Sequence, residues 1–187
     1  QACAGSQGLK RKTGPKYEKE TQSWIRAMNE LGGNGMWIVV RGYHWGDDFI
    51  AIMTNSPLSH ASVFDRRRME VIEAVGKGVE SKDLQTFLRE SHRVLLIRPR
   101  DWSDSIGADA VRRARSKIGL GYDFFGILGL PSTKHFYCSE LAIWSMGIKV
   151  DRKGVGKIVH PRNMNRYGEV LFDSGQRDGI PDYPPKQ

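Results

Sequence analysis

The sequence predicts an α+β fold in which a small antiparallel sheet packs against one apolar helix. Three observations carry that expectation. Short runs rich in β-branched and aromatic residues (Met36–Arg41, Ala61–Asp65, Glu70–Val75 and Arg93–Arg98) have the length and composition of strands. Two of them, Ala61–Asp65 and Glu70–Val75, are joined by the arginine-rich stretch Arg66-Arg67-Arg68 and read as a hairpin. The run from Cys138 to Met146 is apolar and helix-like, and it is the natural core helix.

The elements follow in order. Residues 4–17 are rich in Gly, Ser, Lys and Pro, so residues 1–17 are expected to be a flexible tether and 18–187 a single domain. Glu18 to Leu31 has Trp24, Met28 and Leu31 on one helical face, and Gly32-Gly33-Asn34-Gly35 ends it. Met36–Arg41 is then a buried strand. Gly46-Asp47-Asp48 begins a short helix through Ile52, with Asp47 or Asp48 as its cap. After the hairpin, Ser81 is the expected cap of a helix over Lys82–Glu90. Arg93–Arg98 is a strand closed by Pro99, and Ser105–Ile118 is a helix stopped by Gly119-Leu120-Gly121. The segment from about 150 is coil-rich by its glycines and prolines, with a strand at Glu169–Phe172.

Composition narrows the function. A chain of 187 residues with 39% hydrophobic and 10% aromatic residues builds a core of ordinary size in one domain. It contains no run of about 18 apolar residues of the kind that spans a bilayer. The net charge is +8, spread over Lys10-Arg11-Lys12, Arg66-Arg67-Arg68, Arg112-Arg113-Ala114-Arg115 and Arg152-Lys153. Such a surface is drawn to anionic lipid or acidic wall polymer. Nucleic acid is not expected, because no recognition motif accompanies the charge. No metal or other cofactor is expected either. Cys and His lack short paired spacing, Asp47-Asp48 has no further ligands around it, and no Gly-rich phosphate loop occurs.

The chemistry is read from two residues. Cys138 opens its helix, and a thiol at a helix N-terminus sits at the positive end of the helix dipole, which favours the thiolate. His60 stands at the start of a strand, where it can act as general base and then general acid. Together they are the minimal kit for cysteine-based acyl transfer, in the order His before Cys. A lone Cys on an apolar helix is ordinarily a small core residue. His44, in Arg41-Gly42-Tyr43-His44-Trp45, is the rival base; His92 suits a solvated cap after a helix, His135 is too close in sequence to Cys138, and His160 lies in the coil-rich tail. The base needs an orienting group. Glu73, a carboxylate flanked by Ile72 and Ala74 on the neighbouring strand, is costly to bury without a partner such as an imidazolium. The N–H of Cys138 is the natural oxyanion donor, with the hydroxyl of Tyr43 or Tyr122 as a second.

The segments Ser59-His60-Ala61-Ser62-Val63, Ile72-Glu73-Ala74-Val75-Gly76-Lys77-Gly78-Val79, Gly121-Tyr122-Asp123-Phe124 and Tyr137-Cys138-Ser139-Glu140-Leu141 occur in a characteristic order. With them the chain resembles the permuted papain-like amidases of the YiiX/YaeF type, in the NlpC-type superfamily related to lecithin retinol acyltransferase. The resemblance covers roughly Gly35 to Gly147. It implies a circularly permuted papain-like fold and a cysteine hydrolase that cleaves an amide, of cell-wall peptides or small molecules, with Cys138 as nucleophile, His60 as base and Glu73 as orienting residue. Two other readings stand beside it: a lipid acyltransferase or phospholipase at anionic membranes, and a non-catalytic wall- or lipid-binding module. Gln1-Ala2-Cys3-Ala4-Gly5-Ser6 has the form of the end of a bacterial lipoprotein signal, so the expected location is the cell envelope, in the periplasm, with Cys3 as an anchor.

Overall fold

In the computed structural model of the protein, residues 11–43, 58–121, 137–148 and 159–179 are described. Six strands form one antiparallel sheet: β1 Trp37–Gly42, β2 His60–Asp65, β3 Glu70–Val75, β4 Gly78–Asp83, β5 Ser91–Pro99 and β6 Gly168–Asp173, in the order β4-β3-β2-β1-β5-β6. Among the described residues, four helices flank it: α1 Pro15–Leu31, α2 Leu84–Arg89, α3 Asp104–Arg115 and α4 Cys138–Ser145. Short 3-10 helices cover Pro161–Tyr167 and Arg177–Gly179.

Strand alternation sends side chains to two separate apolar layers. Trp37, Val39, Ala61, Val63, Ile72, Ala74, Leu95 and Ile97 face one layer, packed against Ala110 and Ala114 of α3 and Leu141, Ala142 and Ile143 of α4. Ile38, Val40, Phe64, Val71, Val94 and Leu96 face the other, packed against Trp24 and Met28 of α1 and Leu84, Phe87 and Leu88 of α2. Both faces are covered, which explains why β1 is buried at every position rather than at every second one.

Polar contacts fix how the helices sit. Trp37 Nε1 donates to the carbonyl of Ala142 at 3.1 Å, tying the start of β1 to the helix that carries Cys138. Arg115 at the end of α3 bridges Asp65, at 2.7 Å, and Glu70, the two ends of the β2–β3 turn. The start of α3 crosses the chain before β1 at a glycine pair. Gly35 has φ +76°, and a Cβ there would stand 2.6 Å from the carbonyl oxygen of Gly107. A Cβ on Gly107 would in turn lie 2.0 Å from the carbonyl oxygen of Asn34. Neither position admits a side chain at this crossing.

The hairpin expected over 61–65 and 70–75 is present, as are the strands near 36–41, 93–98 and 169–172. Other elements differ. The helix expected from Glu18 begins at Pro15, so the segment read as tether through residue 17 ends earlier. Pro15 occupies the first helical turn, where its missing N–H costs nothing. Residues 78–83 form a strand instead of opening a helix. Gly78–Asp83 pairs along all of β3, and Asp83 rather than Ser81 caps α2, its carboxylate accepting from the Thr86 N–H at 2.7 Å. The short helix expected near 46–52 lies outside the described residues.

The least expected feature is Arg177, which is fully buried. Its guanidinium donates to the carbonyls of Ser91 and Tyr17, both at 3.0 Å, to Glu20 Oε2 at 2.9 Å and to Thr21 Oγ1 at 2.8 Å. It also stacks 4.0 Å from the Trp24 ring. The segment after β6 thereby clasps α1 onto the sheet, and Asp178 adds contacts with Lys12, Lys16 and Tyr17. The planar five-donor fork suits this set of acceptors, and an ammonium does not. Arg177→Ala leaves buried acceptors unsatisfied and is expected to lower the unfolding free energy by about 3 kcal/mol in urea titrations, with little recovery in Arg177→Lys. A loss under about 1 kcal/mol for Arg177→Ala would show that the clasp is incidental.

Candidate active site

The site stands where β2 begins and α4 begins. Ser62 pairs with Glu73 across β2 and β3, so His60 and Glu73, each an even number of residues from that pair, share a face of the sheet. Their side chains meet diagonally, with His60 Nε2 2.6 Å from Glu73 Oε2. Both are largely withdrawn from water, the side chains being 13% and 4% exposed. His60 precedes the β2–β3 ladder, so its ring stands at the strand end, with Phe87 of α2 on one side at 6.2 Å between ring centres.

Cys138 is the first residue of α4 and is buried. It lies close enough to the His60 ring to raise the pKa of that imidazole. The helix is preceded by Tyr137 in extended conformation, and no side chain caps its first turn. The first N–H groups of a helix have no partner within it, so the start of α4 offers donors of the kind an oxyanion needs. Ser139, the next residue, hydrogen-bonds the carbonyl of Val159 and ties the start of α4 to the segment before the 3-10 helix at 161–167.

The electrostatics favour a charged His60. Burial alone would lower its pKa, but the neighbouring Cys138 and Glu73, through charge and hydrogen bonding, hold it well above the ordinary value of 6.5. Glu73 moves the opposite way. Burial would raise it, yet the hydrogen bond and charge of His60, aided by Lys82, keep it below its ordinary value of 4.5. Lys82 on β4 is itself held by Glu90. Lys82 and Glu90 become neighbours of the site only through the pairing of β4 with β3, and the polar Glu80-Ser81-Lys82 stretch carries little strand signal.

Other expected site residues fall elsewhere. The Tyr43 hydroxyl meets His92 Nδ1 at 3.1 Å, on the β5 side of the sheet end. Burial pushes its pKa up to about 12, so it remains a neutral phenol there. The Tyr43 hydroxyl is thus engaged by His92 of β5. His92 is not a solvated cap; it is a buried residue of β5. His160 is half-buried ahead of Pro161, and its pKa is lowered by burial and by Arg162. Tyr122, the rival base His44, His135 and Cys3 lie outside the described residues. Among the described residues, no group of three or more His, Cys, Asp or Glu is arranged to hold a metal ion.

The pKa directions set a pH dependence of stability. The raised His60 contributes stability fully below pH 6.5 and loses it as pH rises through its folded value. The depressed Glu73 contributes fully above pH 4.5 and loses it as pH falls through its folded value. The stability difference between wild type and Glu73→Gln is therefore expected to be greatest between about pH 4.5 and 6.5 and to shrink on either side. Denaturant titrations from pH 3 to 10 measure it, and a difference independent of pH would show that the two groups are not an ion pair.

Comparison with known proteins gives the family and the fold. Residues 44–166 match the family described as permuted papain-like amidase enzyme, YaeF/YiiX, C92 family. Among solved structures, the chain is similar to one described as metalloprotein yiiX from Escherichia coli O157:H7, with a TM-score of 0.52 and 21% identity over 63% of this chain and 68% of that one. That likeness is one of fold. No curated protein matches. The family match spans about two thirds of the sequence and includes His60, Glu73 and Cys138. The chain belongs to the permuted papain-like amidase family of the YaeF/YiiX type.

Proposed function

We propose that the protein is a cysteine hydrolase that cleaves an amide bond through a thioester acyl-enzyme, with Cys138, His60 and Glu73 as its catalytic set. The observation that carries this is the convergence of three side chains from distant parts of the chain. His60 and Glu73 are hydrogen-bonded at 2.6 Å, and Cys138 at the start of α4 is near enough to the same imidazole to raise its pKa.

Each role follows from position. Cys138 sulfur attacks the amide carbonyl, and His60 holds the proton that the thiol gives up. The tetrahedral oxyanion draws on the N–H groups at the start of α4. His60 then protonates the leaving amine and afterwards deprotonates the water that hydrolyses the thioester. Glu73 keeps the ring oriented and stabilises the imidazolium without itself taking the proton. The net charge of +8 supports a substrate in an anionic setting, and our reading is an amide of cell-wall peptides or related small molecules in the bacterial cell envelope.

Activity against a panel of peptidoglycan fragments, acyl-amino acids and phospholipids tests the reading, with Cys138→Ala as control. Amide cleavage that Cys138→Ala abolishes is expected; wild-type protein that binds such fragments but releases no product between pH 5 and 9 would instead be a binding module. Glu73→Gln is expected to lower kcat by roughly 10- to 10³-fold, less than the ~10⁴ seen when a serine triad loses its carboxylate, because a thiol needs less help from its base. Full activity in that variant would remove Glu73 from the mechanism. His60→Ala is expected to slow iodoacetamide labelling of Cys138 at pH 7 by about tenfold or more, and an unchanged rate would assign the base to another residue.

A further inference from the structure

We propose that the end of the molecule opposite Cys138 is a docking surface for an anionic lipid bilayer. Its centre is the β2–β3 turn, where Arg66, Arg67 and Arg68 are consecutive and exposed. The carboxylates flanking this turn, Asp65 and Glu70, are both taken by Arg115 of α3. The three arginines make no ion pair with the described residues, so their charge is available to a partner.

Their surroundings are fixed by the fold. Arg66 donates to the carbonyl of Asn29 at 2.7 Å, which sets the turn beside the last turn of α1. The Arg67 N–H donates to Asn34 Oδ1 at 3.3 Å, and the carbonyl of Asn34 accepts from Trp102 Nε1 at 2.9 Å. The same crossing brings Gly107 against Asn34. Leu31 and Ile106 therefore flank the arginines, 46% and 37% exposed. Guanidinium groups beside exposed aliphatic side chains match a bilayer surface, where phosphates lie above acyl chains. A duplex nucleic acid would use the cations and leave the aliphatic groups in water.

The geometry also orients the docked protein. His60 and Asp65 are the two ends of β2, about 17 Å apart for a six-residue strand. Cys138 then faces away from the lipid, as does Lys77, exposed in the β3–β4 turn at the catalytic end.

Vesicle co-sedimentation of the 187-residue chain tests this, with neutral phosphatidylcholine against vesicles carrying about 30% phosphatidylglycerol in ~0.1 M salt. Binding to the anionic vesicles alone is expected. Each arginine removed should weaken it about fivefold, hence about 25-fold for Arg67→Gln with Arg68→Gln. Leu31→Ser with Ile106→Ser should weaken it further, and Lys77→Gln should leave it within about twofold. Circular dichroism confirms that each variant is folded. The proposal is overturned by equal binding to neutral vesicles, by arginine variants that bind like wild type, by an equal loss in Lys77→Gln, or by tighter binding to a duplex oligonucleotide at the same salt. Because the variants lie outside the catalytic set, amidase activity on a soluble substrate is expected to persist in all of them, and failure of the amidase reading would leave this outcome unchanged.

Discussion

The contact between His60 and Glu73 is the constraint on which the rest of the site depends. A carboxylate and an imidazole are set in a largely apolar sheet face, and neither is tolerable there in charged form without the other. Their meeting requires one register between β2 and β3. A slip of one residue would turn Glu73 to the opposite layer and place Ile72 or Ala74 beside the ring. Arg115 fastens the turn that sets this register, and the Trp37 hydrogen bond to Ala142 fixes the helix that brings the sulfur to the ring. The buried polar contacts of the hairpin and of α4 thus act on a single geometry at the strand end.

Much of this was legible in the sequence because the site is built from local patterns. β-branched runs marked β1, β2, β3 and β5, and an apolar helix starting at Cys marked α4. Glu73 stood out as a charge within an apolar strand, a conflict that only a buried partner resolves. What escaped had other causes. β4 is an edge strand whose Glu80-Ser81-Lys82 stretch is polar, so its pairing with β3 leaves little hydrophobic signal. The Ser81 and Asp83 caps compete within three residues, and pairing to β3 decides between them. Nothing local to Tyr43 marks its partner His92, which comes from a strand 49 residues away.

Arg177 shows a different kind of illegibility. Its segment is polar, glycine-containing and outside the stretch matched by the family, and nothing local marks it as buried. Its partners come from α1 and from the α2–β5 junction, all distant in sequence. Through them the first helix and the segment after β6 close one side of the sheet. The bidentate pair of Arg93 with Asp173, at 3.0 and 2.7 Å, holds β6 itself against β5. Segments at both ends of the described chain therefore complete the layer that backs Val40 and Phe64, and with it the face on which His60 and Glu73 meet.

Catalysis by this site requires a His60 whose charged form is favoured by both Glu73 and Cys138. Nitrogen-15 NMR of the His60 imidazole across pH measures it directly. His60 is expected to remain an imidazolium well above pH 6.5 in the wild type, with its titration moving down in both Cys138→Ala and Glu73→Gln. A ring that titrates at or below 6.5, unmoved by either substitution, would contradict it.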